Sequence, residues 1–262
     1  MASPVTVDVS NPAAVIGPAI AGTIAIFNSV AKFGPNVCRV VVTSSAASIM
    51  EPKDGPYTFT EADWNTFSPG EVERIGGESG IHVYRTAKVT AERAAWKFME
   101  DNKGKLGFDL ATILPPLVYG PLEQEPPARV ESLNMTMFQL YKNFIDPPPP
   151  VPGFSLNIID VRDVAMLHVL CLEKEEAGGE RWIPSSGPFT WAELRDMAIQ
   201  ASVQGIAPGT PEGYVPEPPQ IIIDGSKAAK VLGLKYHSKM ETAVDAIQSI
   251  YLAIPSAVPA QI

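Results

Sequence analysis

Tyr84, Lys88 and Ser45 are residue types that can act together on a carbonyl group. Tyr84 and Lys88 lie four residues apart in VYRTAKVTAERAAWKF, and Ser45 follows an apolar run in RVVVTSS. Residues four apart on a helix share one face, so the phenol and the ammonium can meet the same small molecule. Many helices contain such a pair by chance. The serine after an upstream strand turns the pair into a hydride-transfer hypothesis.

Carbonyl reduction needs a hydride, a proton donor and a group that holds the developing oxyanion. A tyrosine can donate the proton, but its free pKa of about 10 is too high for easy exchange at neutral pH. A lysine one helical turn away stabilises the phenolate and lowers that pKa, and its ammonium can also bind ribose hydroxyls of a cofactor. A serine hydroxyl can hydrogen-bond the oxyanion. The structural alternative, which spacing alone leaves open, is a tyrosine packed at a helix start, a surface lysine and a serine in a turn.

The elements around these residues follow a strand, helix, strand order. Arg39 to Thr43 is a β-branched run and is predicted to be a buried strand. Val83 to about Asp101 is predicted to be a long helix, and Phe108 to Leu114 a second buried strand that ends at Pro115-Pro116. This order is typical of a parallel α/β sheet. Residues 50–80 are rich in Gly, Pro, Ser and acids and are predicted to be a loop region with short elements.

The second half of the chain has a different composition. Pro147 to Pro152 is proline-dense and is predicted to be an extended connector between lobes. Leu156 to Ile159 is predicted to be a strand, and Asp160 the N-cap of a helix that runs to Glu173. Thr190 with Glu193 matches a capping box. Further helices are predicted at Asn11-Pro12 to Lys32, Leu133 to Phe144, Asp224 to Leu232 and Lys239 to Leu252.

Composition narrows the class of protein. The 262 residues are 45% hydrophobic with a net charge of −9, so a sizeable core is expected and neither nucleic acid nor an anionic membrane is an expected partner. Cys38 and Cys171 are not expected to form a disulfide. The first residues lack the pattern of a secretory signal. No stretch is expected to approach the roughly 18 apolar residues that span a bilayer. These features predict a soluble, cytoplasmic protein.

Other candidate residues favour structural roles. The three histidines are far apart in sequence with no ligand spacing, so no metal site is predicted, and His82 is expected on a loop near Tyr84. Aromatic residues of the long loop could line a substrate pocket or simply pack there: Tyr57, Trp64 and Phe67. Met135, Met137 and Phe138 could also line a pocket, although core packing of an amphipathic helix is favoured.

Taken in order, four segments resemble one family. RVVVTSSAASI, VYRTAKVTAERAAWKF, FDLATILPPLVYGP and IIDVRDVAMLHVLCL are similar to motifs of the extended short-chain dehydrogenase/reductase family, which is NAD-dependent epimerase/dehydratase-like. The nearest branch is that of ketoreductases related to methylglyoxal reductase, dihydroflavonol reductase and cinnamoyl-CoA reductase. The resemblance implies an α/β fold: a truncated doubly wound parallel (Rossmann-like) sheet with a smaller C-terminal substrate lobe. Residues 1–125, with 155–173 returning, would form the cofactor domain, and residues 126–262 the lobe.

The resemblance also implies roles for individual residues. Tyr84 would be the acid, Lys88 its partner, and Ser45 the oxyanion donor rather than Ser44. The cofactor would be NADP or NAD, with NADP favoured, and the substrate a small-molecule carbonyl or alcohol. The residues implied in cofactor binding are Ala2, Ser3, Tyr84, Lys88, Pro115 and Val118.

One family feature is not found in the sequence. No glycine-rich G-x-x-G-x-x-G or G-x-G-x-x-G turn follows a strand, and residues 1–5 look like the end of the family's fourth strand. About seventy to eighty residues of the family pattern are therefore expected to be absent, given about 30 residues or more per βαβ unit. One alternative is thus a catalytically impaired remnant, a partner-binding module or an incomplete gene model. Another is a sugar-nucleotide epimerase or dehydratase, which shares the fold and the Tyr-x-x-x-Lys pair. Substrate identity and oligomeric state do not follow from the sequence.

Overall fold

A computed structural model describes residues 11–125, 127–147, 155–213 and 217–259. Its helices are α1 (Ala13–Phe33), α2 (Phe67–Ile75), α3 (Gly80–Asp101), α4 (Met135–Ile145), α5 (Val161–Glu173), α6 (Trp191–Gln200), α7 (Ser226–Leu232) and α8 (Lys239–Ala253). Its strands are β1 (Arg39–Thr43), β2 (Tyr57–Phe59), β3 (Asp109–Ile113), β4 (Leu117–Tyr119), β5 (Leu156–Asp160), β6 (Arg181–Trp182), β7 (Pro188–Phe189) and β8 (Ile221–Ile223). Alternation of helices and strands makes this an α/β fold, as predicted.

The sheet that carries the candidate site has the order β1-β3-β6 and is parallel. Arg39 pairs with Asp109, and Thr43 with Ile113, so β1 and β3 end side by side. Pairing continues past the strand ends, because the Ser44 amide donates to the Ile113 carbonyl at 2.7 Å. The segments that follow β1 and β3 therefore leave the sheet at the same edge. Side chains that follow parallel strands converge at this edge.

Two further sheets complete the described strands. β5 lies between β4, which is parallel to it, and β7, which is antiparallel. β2 and β8 form a parallel pair although they are far apart in the chain. The Asn157 side chain joins these two sheets, since it donates to the Ile221 carbonyl and accepts from the Ile223 amide. These two hydrogen bonds satisfy the buried amide of Asn157 and hold β5 against β8.

Two of the apolar cores lie on different parts of the fold. One packs β3, β6 and α5 against α7 and includes Ile113, Leu167, Trp182 and Leu232. The other, larger core joins β4, β5, α4, α6 and α8 around Phe144. The division into a cofactor domain and a lobe with its boundary at residue 125 stays a prediction.

Helix α1 packs on α3 through Val15 and Ala19, and its Phe27 ring is buried against Phe98 and Phe108. The expectation that no apolar stretch reaches membrane-spanning length was wrong. Ala13–Phe33 is long and apolar enough by composition, with a mean hydropathy of 1.7, and 22% of that window is buried in the fold. A core helix and a signal sequence meet the same criterion, so a cytoplasmic location stays a prediction.

Local signals in the sequence located most elements. β1 and α3 appear where predicted, and α3 begins three residues earlier, at Gly80. Asp160 caps α5 by accepting from the Arg162 amide, and the capping box of α6 is present. His82, expected on a loop, was wrongly assigned: it lies in the first turn of α3, because that helix starts before the apolar run. Of the predicted proline connector, residues 148–152 lie outside the described part of the chain.

Candidate active site

Tyr84 and Lys88 lie on consecutive turns of α3. The Lys88 Nζ atom is 5.7 Å from the centroid of the Tyr84 ring. Lys88 is only 9% exposed, whereas Tyr84 is half-buried. Within the described residues, neither the phenol oxygen nor the ammonium has a hydrogen-bond partner. A buried lysine whose ammonium has no internal acceptor is unusual, and it is an arrangement suited to receiving an acceptor from a ligand.

Burial also changes the protonation of this lysine. Loss of hydration disfavours the charged form, so the pKa of Lys88 is lowered from its ordinary value. The charged form of Lys88 is therefore less favoured in the free protein than the charged form of a surface lysine. Its positive charge is held only at a cost in folding free energy.

Replacing Lys88 by methionine is therefore expected to stabilise the folded protein. Methionine is of similar length and carries no charge, and gains from such changes at functional sites are roughly 0.5–2 kcal/mol. The sign follows from linkage. The folded state binds the proton less well than the unfolded chain, so wild-type stability rises as the pH approaches about 10.4, the pKa of an unfolded lysine. The advantage of the variant should shrink over that range.

Urea unfolding at neutral and at alkaline pH measures this difference. Lys105→Met is the matched control, because Lys105 is exposed and its removal should leave the unfolding midpoint unchanged. A Lys88→Met protein that is less stable than wild type at neutral pH would contradict the expectation.

The two serines after β1 have different environments. The Ser44 hydroxyl is buried and donates to the Glu92 carboxylate at 2.5 Å, and it also contacts Ser48. Ser45 is half-buried and caps a short 3₁₀ turn, where its hydroxyl oxygen accepts from the Ala47 amide at 3.1 Å. Its own hydroxyl hydrogen has no acceptor in the part of the chain that the structure describes. This difference favours Ser45 over Ser44 as a donor to a ligand.

The serine turn lies between two other parts of the predicted site. The Ala46 amide donates to the Pro115 carbonyl at 2.9 Å, so Ser45 and Pro115 lie on neighbouring segments of the backbone. The 3₁₀ turn Ala46–Ser48 packs against α3. Val118 lies further along, half-buried in β4, where it pairs with Ile159. Ala2 and Ser3, also predicted to bind the cofactor, lie outside the described residues.

The loop before α2 is fastened to the serine turn and to α3. The backbone N–H of Asn65 donates to the Ser48 carbonyl, and the side-chain amide of Asn65 donates to the Ala47 carbonyl. The Ser68 hydroxyl is 3.1 Å from Nδ1 of His82, two residues before Tyr84. Loop, serine turn and helix therefore form one connected unit rather than independent surfaces.

A buried ion pair underlies this unit, and the sequence alone did not single it out. Glu92 is fully buried and accepts from the Arg181 Nε at 2.8 Å. The Arg181 guanidinium stacks on the Trp64 ring at 3.7 Å, so Trp64 is a packed residue of the loop. The available signal was the continuation of the Tyr84 and Lys88 spacing by four more residues to Glu92, on the same helix face.

The remaining acids and histidines have structural partners. Asp160 accepts from Thr242 Oγ1, and Asp163 accepts from both the amide and Nδ1 of His237, so α5 is joined to α8. His168 bonds the Thr43 hydroxyl at 2.7 Å. In the described ranges no group of three or more His, Cys, Asp or Glu is placed to hold a metal ion.

A groove of about 490 Å³ lies away from α3, between β8 and the starts of α7 and α8. Its walls include Ser186, Asp224, His237 and Lys239. Of the described residues predicted for catalysis or cofactor binding, none lines it. The candidate active site is thus the surface around Tyr84, Lys88 and Ser45.

The chain is similar in sequence and in fold to known proteins. No protein-family profile matches it. The ketoreductase azaE of Aspergillus niger is 34% identical over 247 residues, which cover 90% of this chain and 69% of azaE. The chain belongs to the extended short-chain dehydrogenase/reductase family. Its place among the ketoreductases of that family confirms the resemblance inferred from the four motifs.

Two further relatives agree with that assignment. The cinnamoyl-CoA reductase CAD2 of Medicago truncatula is 31% identical over 242 residues, covering 90% of this short-chain dehydrogenase/reductase and 67% of CAD2. The crystal structure of yeast methylglyoxal/isovaleraldehyde reductase Gre2 complexed with NADPH aligns with a TM-score of 0.81 at 29% identity. That alignment covers 96% of this chain and 75% of Gre2. The family is one of NAD(P)-dependent CH–OH oxidoreductases, and the fold prediction is confirmed.

Proposed function

We propose that this protein reduces an aldehyde or ketone to the alcohol with NADPH, through Ser45, Tyr84 and Lys88. The observation that carries the proposal is the buried Lys88 side chain, whose ammonium has no acceptor among the described residues, one turn from Tyr84. Its occurrence in a chain 34% identical to a ketoreductase supports this chemistry over a packing role.

The three side chains have separate tasks. The Tyr84 hydroxyl donates its proton to the carbonyl oxygen as negative charge develops there. The Lys88 ammonium, close to the ring and poorly hydrated, stabilises the phenolate that remains. The Ser45 hydroxyl donates a hydrogen bond to the same oxygen before the proton arrives. NADPH, when bound, supplies the hydride.

The residues present suit one half of the cofactor. The Lys88 ammonium, beside the Tyr84 phenol, can donate hydrogen bonds to the hydroxyls of the nicotinamide ribose. Pro115 lies on the backbone segment next to Ser45. A pyrophosphate is usually held by a glycine-rich turn at a helix N-terminus. In residues 11–125, 127–147, 155–213 and 217–259, no turn between a strand and a helix contains more than one glycine. The described residues therefore account for the nicotinamide side of the site and not for the pyrophosphate side.

Calorimetric titration with NADPH tests the proposal directly. We expect a dissociation constant in the micromolar range for NADPH and loss of binding heat in Lys88→Met. NADPH consumption with a panel of aldehydes and ketones then measures turnover. Absence of both binding and turnover would refute the reductase and favour a non-catalytic role. Isomerisation of a sugar nucleotide without net NADPH consumption would instead support the epimerase alternative.

A further inference from the structure

Glu92 lies in the protein interior, on the same face of α3 as Tyr84 and Lys88. Tyr84, Lys88 and Glu92 are spaced by four residues, so they lie along one face of the helix. Exposure falls along this row, from the half-buried Tyr84 through Lys88 at 9% to Glu92 at 0%. The row therefore runs from the site surface to a carboxylate with no access to water.

Each oxygen of this carboxylate accepts hydrogen bonds from a different part of the sheet. Ser44, which follows β1, donates to Oε2 at 2.5 Å. Thr112 of β3 and Arg181 of β6 donate to Oε1 at 3.1 Å and 2.8 Å. Glu92 thus bonds α3 to all three strands of the sheet from which the site projects.

Arg181 neutralises the buried carboxylate and connects it to the loop. Its Nη1 atom donates to the carbonyl oxygens of Glu61, at 2.5 Å, and Asp63, at 2.7 Å. The guanidinium groups of Arg181 and Arg93 lie 3.7 Å and 4.6 Å from the centroid of the Trp64 ring. With its charge matched internally, Glu92 has no need of a ligand, and its effect on the site is geometric.

We propose that Glu92 is a positioning residue that sets the distance between Ser45 and the Tyr84–Lys88 pair. The inference rests on the function proposed above. Ser44 is bonded through its amide to Ile113 and through its hydroxyl to Glu92, so both ends of that residue are fixed. Ser45 is the next residue, and its hydroxyl oxygen is held by the Ala47 amide. The bond from Ser44 to Glu92 therefore orients the turn that presents the Ser45 hydroxyl.

A purely stabilising role would leave a different signature. Ser44 and Thr112 donate the same type of bond to the same carboxylate, but only Ser44 adjoins Ser45. If Glu92 merely stabilised the fold, losing either hydroxyl would have similar consequences. If Glu92 positions the serine turn, losing the Ser44 hydroxyl must harm the site more.

The experiment compares Ser44→Ala with Thr112→Val and Glu92→Gln in the protein as its gene encodes it. Ser44→Ala is expected to lower kcat roughly tenfold or more with little change in KM for NADPH, since a misplaced donor acts mainly on the transition state. Thr112→Val is expected to lose less. Glu92→Gln, which can bond Ser44 in the reverse sense, is expected to fall between Ser44→Ala and wild type.

A second readout does not depend on turnover. The Ala47 amide is bonded to the Ser45 hydroxyl oxygen, so its hydrogen exchange reports directly on that side chain. Ser44→Ala is expected to raise its exchange rate about fivefold, the equivalent of one lost hydrogen bond. Thr112→Val should raise it less. Equal effects of the two variants, or unchanged exchange in Ser44→Ala, would overturn the positioning role. Wild-type protein that reduces no carbonyl would count against the proposed function alone, because the exchange comparison still decides the role of Glu92.

Discussion

Tyr84→Phe is expected to lower kcat by about 10²–10⁴-fold, the usual contribution of a general acid. The change removes one oxygen atom and leaves the ring that contacts Lys88 in place. Since no other described group bonds the phenol oxygen, folding should be unaffected. The loss should therefore fall on kcat, while NADPH binding by calorimetry stays close to that of wild type.

Tyr119→Phe is the matched control for this experiment. The Tyr119 hydroxyl is also without a partner in the described residues, but its ring is buried against Phe189 and Trp191, in the larger core. Removing a buried, unpaired hydroxyl is expected to be neutral or stabilising, with turnover unchanged. Tyr84→Phe protein with wild-type turnover would exclude Tyr84 as the acid. A loss of the same size in Tyr119→Phe would trace the effect to packing instead.

The parts of the fold that follow from local chemistry could be predicted from the sequence. β1 is a run of β-branched residues, and α6 begins with a capping box at Thr190. Both signals act over a few residues, so the sequence contains them in full. The pairing of Tyr84 with Lys88 is of the same kind, because one helix sets it.

Contacts between distant segments did not follow from the sequence. Ser44 and Glu92 are 48 residues apart, and Arg181 and Glu92 are 89 apart. Nothing in the local pattern around Arg181 distinguishes it from a surface arginine. β6, at two residues, is too short for a periodic signal, so its place beside β3 depends on packing. The position of Ser45 relative to α3 depends on these same long-range contacts, so it could not be predicted from the sequence.

Helix α1 shows the opposite problem. Its apolar composition is clear from the sequence, but the location that this composition implies is not. The stretch from Ala13 to Ala31 has no charged residue, yet the helix buries Val15, Ala19 and Phe27 against other parts of the protein. Apolar composition alone cannot separate a helix packed on a soluble core from one that crosses a bilayer. The buried positions of the helix are four residues apart, at Val15, Ala19, Thr23 and Phe27, and this spacing matches packing of one helix face on α3.

Arg181→Met is expected to destabilise the protein by about 3–5 kcal/mol, the range for a buried ion pair that loses one partner. The variant would leave the Glu92 carboxylate at 0% exposure with only the Ser44 and Thr112 hydroxyls as donors. It would also leave the carbonyls of Glu61 and Asp63 without their guanidinium donor. Urea unfolding followed by circular dichroism measures the loss.

The double variant Arg181→Met/Glu92→Gln separates the charge from the other lost contacts. If the cost arises from the unpaired carboxylate, neutralising that group should recover a large part of it, so the double variant should be more stable than Arg181→Met alone. Arg74→Met is the surface control, because Arg74 pairs with Glu71 while 65% exposed and its loss should leave the midpoint unchanged. A double variant no more stable than Arg181→Met would mean that the loop carbonyls and Trp64, rather than the charge, depend on Arg181. The serine turn would then be held by Glu92 through its hydroxyl bonds alone, and the hydrogen exchange of Ala47 should be the same in Arg181→Met as in wild type.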